Sequence, residues 1–364
     1  MTGKTVKYRT ISILLIAAFV SSAILIIRFS ASDASAASDP VFVPDWSGVS
    51  YPPYPLSGDG VANPVLTASQ VPGARYIADP FLFYEGGTWY MFFEVLTQTD
   101  TTGIGLATSS NGLNWTYSQI VLNDGLHHSF PYIFKWNDTY YMLPESVDTN
   151  SVRLYKATNF PHNWTYENTL VSGRAFADSC LIQYDGVWWL FAGEAFNRYL
   201  WLYHSDSLTS DWVEHPSSPI VANDNSTARP AGRNIFYGNS VILRFAQKDD
   251  ISYGQAVRAF QVDTLTKTSY AEHEVSESPL IAASGSGWNA DGMHHVDAWW
   301  VGDRWLAAVD GVDYSPTEVW SIGIYQSPVV INEYPSVFFL QLALILIIAF
   351  AVLAVLLFKN RTHT

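Results

Sequence analysis

The chain has 364 residues, of which 48% are hydrophobic and 15% aromatic, so it is long enough to bury a large core. Residues 29–336 hold all 33 acidic residues but only 13 of the 19 basic ones, a difference of −20 in formal charge. This balance excludes binding to the phosphate backbone of nucleic acids and disfavours contact with anionic lipid. A single cysteine, Cys180, excludes an internal disulfide and a thiolate metal cluster.

The N-terminal residues 1–28 have the pattern of a segment that directs a chain into a secretory route. Three basic residues precede an uncharged apolar run from 11 to 27, and small residues after the run offer a cleavage site after Ala36. A retained membrane anchor fits the same pattern equally well. We expect a signal peptide or a signal anchor, followed by a linker over residues 29–40.

A second apolar run, residues 337–358, is 22 residues long and contains no charge. It is long enough to cross the roughly 30 Å of bilayer hydrocarbon, and it lacks the polar positions at helical spacing of a buried core helix. Basic residues follow it in the tail 359–364 and also precede the first run. The positive-inside rule therefore predicts a cell-membrane protein with a transmembrane helix, a cytoplasmic tail and an extracytoplasmic domain.

Between the apolar runs, a motif of two strands and a tight turn recurs five times. Equivalent positions fall at Asp79, Phe130, Asp178, Arg229 and Asp291, in steps of 51, 48, 51 and 62 residues. Turns such as EGG, YDG and VGD lie between aromatic and branched residues, which is typical of β-hairpins. Third and fourth strands follow, as in VRLYKAT and HNWTYENTLV. This repeat predicts an all-β, five-bladed β-propeller over residues 41–331.

The fifth unit lacks an outer strand before the second apolar run begins. A segment near the start of the domain, ANPVLTASQV from Ala62, resembles the outer strands of the other units. We expect this segment to complete the fifth blade, because closing the ring removes an exposed strand edge.

In a propeller blade the first strand lies nearest the central axis, and the hairpin returns the end of the second strand to the edge where the first begins. The stretch ADSCLIQYDGVWWLFAGE from Ala177 therefore brings acids at both of its ends to one mouth of the channel. The five units predict an inner ring and an outer ring of side chains around this mouth. The inner ring is Asp79, Phe130, Asp178, Arg229 and Asp291, and the outer ring is Glu94, Glu145, Glu194, Gln247 and Asp310.

Carboxylates that crowd one mouth raise one another's pKa, whereas an arginine among them lowers the pKa of its neighbours. Acids in different protonation states suit general acid and base work on a glycosidic bond. A structural alternative exists for the same residues. An Asp at a strand start caps the preceding turn, and a Glu at the end of the next strand accepts backbone amides.

Two histidine pairs and a second arginine also lie close to inner strands. One member of each pair, His127 and His128 or His294 and His295, can face the mouth and bind a sugar. The tight spacing typical of a metal site is missing, so we expect neither a metal nor another cofactor. Arg233 is a candidate clamp for an anionic group, with a blade-to-blade ion pair as the alternative.

Several motifs resemble one known family. The runs IADPFLFYEGGTWYMFFEVL, FPYIFKWNDTYYMLPES, DGVWWLFAGE and STARPAGR are similar, in this order, to the N-terminal propeller domain of the plant glucosamine inositolphosphorylceramide transferases and their prokaryotic relatives. In the plant proteins a separate glycosyltransferase domain follows, whereas an apolar run follows here. The resemblance therefore implies the propeller fold and does not extend to the transferase activity.

More distantly, the five-bladed shape is similar to family 43 glycoside hydrolases. In that family an Asp opening the first blade serves as base and a second Asp orients and tunes, which Asp79 and Asp178 match. A Glu opening a later blade serves as acid, but the fourth blade here opens on Arg229 and the fifth on Asp291. The resemblance implies work on carbohydrate, but this departure from the pattern argues against ordinary hydrolysis.

The sequence predicts a propeller that binds or processes a glycan or glycolipid. As an enzyme it would use Glu145, Glu194 or Asp291 as proton donor; as a binding module it would use the same mouth for recognition alone. The candidate catalytic residues are Asp79, Asp178, Glu145, Glu194 and Asp291, and the candidate ligand contacts are Arg229, Arg233, His127, His128, His294, His295 and Glu94. A scaffold that binds another envelope protein is the alternative outside sugar chemistry.

Overall fold

The computed structural model describes residues 42–238 and 240–330, which form five sheets. The described residues contain 22 strands and three 3-10 helices, Ala68–Gln70, Val147–Thr149 and Gly287–Asn289, and no α-helix. The five sheets are the blades of a β-propeller, as the repeat predicts. Phe42–Lys135 and the described residues from Thr139 onward form one compact unit, which is the propeller. Trp136–Asp138 fall in a second unit.

The strands follow the blades in chain order. A short strand, β1 (Phe42–Val43), precedes the first blade and lies beside the inner strand of the second. Blade 1 contains β2 (Ala74–Glu85), β3 (Thr88–Thr97), β4 (Thr102–Ser109) and β5 (Thr116–Leu122). Blade 2 contains β6 (Ser129–Trp136), β7 (Thr139–Glu145), β8 (Ser151–Asn159) and β9 (Asn163–Ser172).

The outer strands of the next two blades are each split in two. Blade 3 contains β10 (Phe176–Tyr184), β11 (Val187–Glu194) and β12 (Tyr199–Ser205), which pairs with both β13 (Val213–Glu214) and β14 (Val221–Ala222). Blade 4 contains β15 (Ile235–Tyr237), β16 (Val241–Lys248) and β17 (Ala256–Thr266), which pairs with both β18 (Ser269–Glu274) and β19 (Ile281–Ala282). Blade 5 contains β20 (Val296–Trp300), β21 (Trp305–Asp313) and β22 (Val319–Gln326).

The N-terminal segment completes the fifth blade, as the incomplete repeat predicts. Leu66 and Ser57 form antiparallel bridges with β22. The Asn63 side chain adds two hydrogen bonds to the same strand, donating to the carbonyl of Ile324 at 2.8 Å and accepting its amide at 2.7 Å. These contacts cover the backbone edge that β22 would otherwise expose.

Three inner strands share a left-handed backbone at the position that the repeat singles out. Asp79, Phe130 and Asp178 have φ angles of 53°, 45° and 49°, values that non-glycine residues adopt only where other contacts hold them. Asp310 accepts the amide of Asp79 at 3.0 Å, and Asp79 accepts that of Phe130 at 3.3 Å. Glu145 accepts the amide of Asp178 at 3.1 Å. Acids at the mouth thus accept backbone amides of a neighbouring blade. This is the structural alternative that the sequence offers for the same residues.

A buried ion pair closes the channel beneath the mouth. Arg233 donates to Asp297 Oδ1 at 2.8 Å and to the carbonyl of Ile133 at 2.7 Å, and Asp297 Oδ2 accepts the amide of Leu82 at 2.6 Å. Three aromatic rings surround the guanidinium: Phe81, Tyr132 and Trp299. Since these residues belong to four blades, the pair joins the blades around the axis.

Within residues 42–238 and 240–330, no helix has the length and apolar character that crossing a bilayer requires. The predicted signal or anchor segment, the linker, the helix over 337–358 and the tail all fall outside the described residues. Their assignment stays a prediction.

Candidate functional site

The mouth, defined here as the channel end where first strands begin and second strands end, gathers five carboxyl groups. Each of these residues exposes 8% of its surface or less: Asp79, Glu94, Glu145, Asp178 and Asp310. The strands that supply them are β2, β3, β7, β10 and β21. Two basic side chains, Arg229 and His294, reach the same place from blades 4 and 5 and divide the acids into two groups.

The first group is centred on Asp178. Its Oδ2 accepts Arg229 Nε at 2.5 Å and Gln247 Nε2 at 2.8 Å. Arg229 also donates to Asn197 Oδ1 at 3.0 Å and to Glu145 Oε2 at 3.4 Å. Burial alone would raise the pKa of Asp178, but the guanidinium outweighs burial and holds this pKa below its usual range. Asp178 is therefore ionised at neutral pH.

Glu145 and Glu94 differ from Asp178 in the direction of their pKa shifts. Burial raises the pKa of Glu145 well above its usual value, and the neighbouring Asp178 carboxylate raises it further. Burial likewise raises the pKa of Glu94, with Asp79 adding to the effect. The mouth consequently holds neighbouring carboxyl groups whose pKa values are shifted in opposite directions.

The second group is centred on His294. Its Nδ1 lies 2.8 Å from Asp310, and its Nε2 lies 3.8 Å from Asp79 Oδ1. Burial alone would lower the pKa of His294, but Asp310 outweighs burial and raises it to about 9. His294 is thus an imidazolium ion at neutral pH. Burial raises the pKa of Asp79 to about 7 although His294 acts in the opposite direction, so Asp79 is close to half ionised there.

Asp79, His294 and Asp310 each place one potential metal-ligand atom within 4.8 Å of the others. Asp310 already accepts the amides of His294 and His295 at 3.1 and 3.0 Å. A protonated imidazole has no free lone pair for a metal. A metal ion at this position would have to displace the His294 proton and compete with the two amides for Asp310.

Three buried acceptor atoms at the mouth have no hydrogen-bond partner among the described residues: Asp79 Oδ1, Asp178 Oδ1 and Gln247 Oε1. Leaving a buried acceptor unsatisfied costs about 1–3 kcal/mol, so native proteins seldom leave such atoms without a donor. Gln247 Oε1 and the ionised Asp178 Oδ1 can only accept, and Asp79 Oδ1 accepts whenever its carboxyl group is ionised. Hydroxyl groups of a ligand are donors of the kind that these acceptors lack.

The rim of the mouth is apolar above blades 3, 4 and 5. Phe196 and Ile251 expose 90% and 76% of their surface, in the loops after β11 and β16. The Tyr253 ring lies 5.6 Å from the guanidinium carbon of Arg229 and 5.3 Å from the His294 ring. Aromatic faces in this position are available to stack on a sugar ring.

The structure places two predicted catalytic acids outside the mouth cluster. Glu194 is partly exposed and accepts the Trp201 indole N–H at 2.8 Å. Asp291 is exposed, and its Oδ2 accepts the amide of Tyr314 at 2.8 Å. The long step of the fifth repeat explains the second case, because β20 begins only at Val296 and His294 reaches the mouth instead. Their catalytic roles stay predictions.

The remaining predicted contacts lie at different depths. His127 is at the rim, with Nε2 3.9 Å from Glu145 Oε1. His128 is fully buried, and its ring bonds to Asp124 at 2.7 Å in the connection between blades 1 and 2. His295 is also fully buried, and burial lowers its pKa to about 4, so it is neutral. Arg233 lies in the channel, where it forms the blade-to-blade ion pair weighed as the alternative.

Four residues that complete the cluster are not among the predicted catalytic residues or ligand contacts: Asp310, Gln247, Asn197 and Tyr253. Asp310 and Gln247 appear in the predicted outer ring, so their place in the repeat was the sequence signal that could have identified both. Asn197 and Tyr253 lie in loops outside the repeat, where no sequence signal marks them. They are nevertheless the residues that surround the Arg229 guanidinium beside Asp178.

Fold and site together define a class: a five-bladed propeller whose mouth holds buried carboxyl groups, two ion pairs and an aromatic rim. Residues 56–312 match the family described as "Glucosamine inositolphosphorylceramide transferase 1, N-terminal", and the chain belongs to this family. Glucosamine inositolphosphorylceramide transferase 1 of Oryza sativa subsp. japonica is 37% identical over 266 residues, 69% of this chain and 36% of the rice protein. The Arabidopsis thaliana protein of the same name is 33% identical over 251 residues, 65% of this chain and 32% of the relative.

The chain therefore spans about a third of the length of these plant relatives. Among solved structures, a GH62 alpha-L-arabinofuranosidase catalytic domain from Coprinopsis cinerea aligns with a TM-score of 0.54 at 14% identity, over 70% of this chain and 91% of that one. A putative glycoside hydrolase from Parabacteroides distasonis aligns with a TM-score of 0.58 at 13% identity, over 74% and 95%. At this identity the likeness establishes the fold alone.

Proposed function

We propose that the mouth binds a carbohydrate, either a free glycan or the headgroup of a glycolipid. The observation that carries this proposal is the set of three buried acceptors without partners, Asp79 Oδ1, Asp178 Oδ1 and Gln247 Oε1. Sugar hydroxyls are hydrogen-bond donors, which are the groups that these three acceptors lack. The hydrogen bonds to the ionised Asp178 would be charge-assisted and hence strong.

The comparisons support carbohydrate as the ligand class. The plant relatives are named for a glycolipid transferase, and the solved neighbours are named as glycoside hydrolases. The transferase activity is not proposed here, because the match covers only about a third of the plant proteins.

Proton transfer at a glycosidic bond is a second candidate function, favoured by one observation. The pKa of Asp178 is held low while that of the adjacent Glu145 is raised. Neighbouring carboxyl groups with opposite shifts are the usual basis for separate acid and base roles. Glu145 would then donate a proton to the leaving oxygen while Asp178 stays ionised beside it. Asp79, whose pKa of about 7 leaves part of it ionised, would accept a proton from the attacking hydroxyl or water.

The membrane location is a separate part of the proposal. Protease added to intact cells is expected to remove the propeller and to spare a tag at the C-terminus, because the basic residues that flank both apolar runs favour the cytoplasmic side. A propeller that survives in intact cells and is cut only after lysis would refute this orientation.

A glycan array followed by mass spectrometry of the bound glycans tests both functions. Binding without turnover supports recognition alone, and cleavage or transfer products support the second candidate. Asp79→Asn and Asp178→Asn are each expected to weaken binding at least roughly tenfold, the loss that corresponds to about 1.4 kcal/mol. Asp291→Asn is the matched control, since the sequence repeat aligns Asp291 with these two residues but the structure places it exposed and outside the cluster. Absence of any glycan binding would favour a protein scaffold.

A further inference from the structure

Two outer strands of the propeller begin with the same triplet, Asn-Trp-Thr. Residues 114–116 lead into β5 of blade 1, and residues 163–165 open β9 of blade 2. A triplet of the form Asn-x-Thr is the acceptor sequence for N-linked glycosylation, which modifies surface residues of exported proteins. A third triplet of this form in the described part of the propeller, residues 225–227, reads Asn-Ser-Thr. The structure places these three triplets in different surroundings.

The tryptophan at the centre of each Asn-Trp-Thr triplet anchors it to the fold. Trp115 and Trp164 are buried, and each donates its indole N–H to a backbone carbonyl three residues earlier in the chain, at 3.0 and 2.9 Å. In an extended segment the residues on either side of a buried side chain point the other way, toward solvent. The four flanking residues are accordingly exposed: Asn114, Thr116, Asn163 and Thr165. The amide and the hydroxyl of each triplet thus lie together on the surface.

Both triplets lie on the side of the propeller opposite the mouth, which is called the turn edge here. The second strands, β3 and β7, end at the mouth, so the strands antiparallel to them, β4 and β8, end at the turn edge. The fourth strands begin there, since Thr116 pairs with Thr108 and Asn163 pairs with Asn159. An oligosaccharide on either triplet would be attached far from the mouth and would leave it open.

The third triplet is tied into the connection between blades 3 and 4. Asn225 Nδ2 donates to the carbonyl of Asp249 at 3.0 Å, and the Thr227 hydroxyl donates to Asp224 at 2.8 Å. Both side chains are partly buried. An N-linked glycan is bulky and is attached to the Asn Nδ2 atom itself. The folded chain could carry one on Asn225 only by giving up the contact with Asp249.

We propose that Asn114 and Asn163 are N-glycosylation sites, because the outer strands present them at the turn edge, and that Asn225 is not. The sugar donor is an oligosaccharide linked through phosphate to a lipid, and a membrane transferase catalyses the step. The Asn amide nitrogen forms a bond to the anomeric carbon of the first sugar and gives one proton to a base of the transferase. The bond from this carbon to the phosphate oxygen breaks, and the lipid phosphate leaves with the electron pair. This inference rests on the proposed extracytoplasmic location and does not depend on ligand binding at the mouth.

Peptide mapping by mass spectrometry tests the proposal on the full chain purified from the membranes of its own host. Peptides that contain Asn114 or Asn163 are expected to carry an attached glycan as the main species. Those with Asn225 are expected to be bare, and so are those with Asn360 of the predicted cytoplasmic tail. Thr116→Ala should abolish the glycan on Asn114 while Thr116→Ser keeps it, because the third residue of the triplet must carry a hydroxyl. A bare main species at Asn114 or Asn163, or a glycan on Asn225, would overturn the proposal.

Blade 3 offers a matched gain-of-site variant. At the same place in this blade the Trp212 indole N–H donates to the carbonyl of Leu208 at 3.1 Å, but the exposed residues that flank it are Asp211 and Val213. Asp211→Asn with Val213→Thr is expected to add a glycan at position 211, and its absence would show that presentation at the turn edge does not determine glycosylation.

The protease experiment on intact cells separates this inference from the proposed function. A propeller that protease cannot reach refutes the membrane location and this proposal together, whereas an accessible propeller without attached glycans refutes this proposal alone. In both cases ligand binding at the mouth is still measured on the purified chain, so the proposed function is judged independently.

Discussion

Arg229 and Arg233, four residues apart, each pair with a buried aspartate. Among the described residues, only the partner of Arg233 has a hydrogen-bond donor for each of its two carboxylate oxygens. In the channel, Asp297 has a partner for each oxygen, Arg233 for Oδ1 and the Leu82 amide for Oδ2. At the mouth, Asp178 Oδ2 has two donors and Oδ1 has none among the described residues. A carboxylate whose partners all come from the fold serves the fold, whereas one with a spare acceptor at an opening can also bind a ligand.

The surroundings of the two pairs strengthen this contrast. Arg233 exposes 1% of its side chain, whereas Arg229 exposes 15%. Burial raises the pKa of Asp297 although Arg233 opposes it, while Arg229 holds the pKa of Asp178 below its usual range. The channel pair thus bears a large desolvation cost, and the mouth pair keeps a stable negative charge. Four predictions test this division, beginning with the largest expected effect.

Breaking the channel pair is expected to cost the most stability. Arg233→Met leaves the Asp297 carboxylate buried without its cation, which typically destabilises a protein by about 3–5 kcal/mol. Urea unfolding monitored by tryptophan fluorescence measures the loss. The double variant Arg233→Met with Asp297→Leu removes both charges and is expected to recover most of it. A single variant as stable as the parent would show that the channel pair does not hold the blades together.

Asp79 provides the second test, because its pKa rises to about 7 from an ordinary value of 3.8. Between these pH values the folded state holds a proton that the unfolded chain has lost, so Asp79 makes the protein less stable as the pH rises. The slope is about 1.4 kcal/mol per pH unit. Asp79→Asn abolishes this loss, and the variant should gain stability relative to the parent between pH 4 and pH 7.

Urea titrations at several pH values measure the difference between the two slopes. Asp263→Asn is a control, since Asp263 is exposed and pairs only with the exposed His273. Parallel stability curves for the parent and Asp79→Asn across this window would contradict the raised pKa.

Arg229→Gln tests the mouth pair by the pH dependence of binding. Without the guanidinium, burial dominates at Asp178 and its pKa rises. We expect the acid limb of glycan binding to move upward by roughly one pH unit or more, and affinity at pH 6 to fall about tenfold, equal to about 1.4 kcal/mol. The loss of stability should be smaller than for Arg233→Met, because Asp178 keeps Gln247 as a donor and the Arg229 side chain is less buried than that of Arg233. An unshifted pH profile would mean that Arg229 does not set the charge of Asp178.

The sequence predicts the positions of the blades well because hairpins and turns are local. Asp79 and Asp178 could be assigned to the mouth from their place in the repeat, and so could Glu94, Glu145 and Asp310. The register failed in the fifth unit, where a step of 62 residues selected Asp291 although His294 occupies the mouth. An insertion of this kind changes which residue faces the axis without changing the hairpin pattern.

The partner of each acid could not be predicted from the sequence. Arg229 reaches Asp178 across a blade boundary, and Asn197 and Tyr253 join it from loops that belong to no repeat. Whether an acid is structural or available depends on such contacts between blades, which depend on side-chain directions. For the same reason Arg229 and Arg233 look alike in sequence although one lies at the mouth and the other in the channel.

The smallest expected effect concerns Glu194, which the sequence assigns to the outer ring beside Glu145. Glu145 is nearly buried and contacts both Asp178 and Arg229, whereas Glu194 is partly exposed and accepts a single hydrogen bond from Trp201. Glu194→Gln keeps an acceptor for the indole N–H, so stability should change by less than about 0.5 kcal/mol. Glycan affinity should stay within about twofold of the parent value, while Glu145→Gln, the matched change at the mouth, should lower it clearly. Titration calorimetry on both variants measures the difference, and an equal loss in the two would place Glu194 in the binding site and remove the distinction between mouth and outer acids.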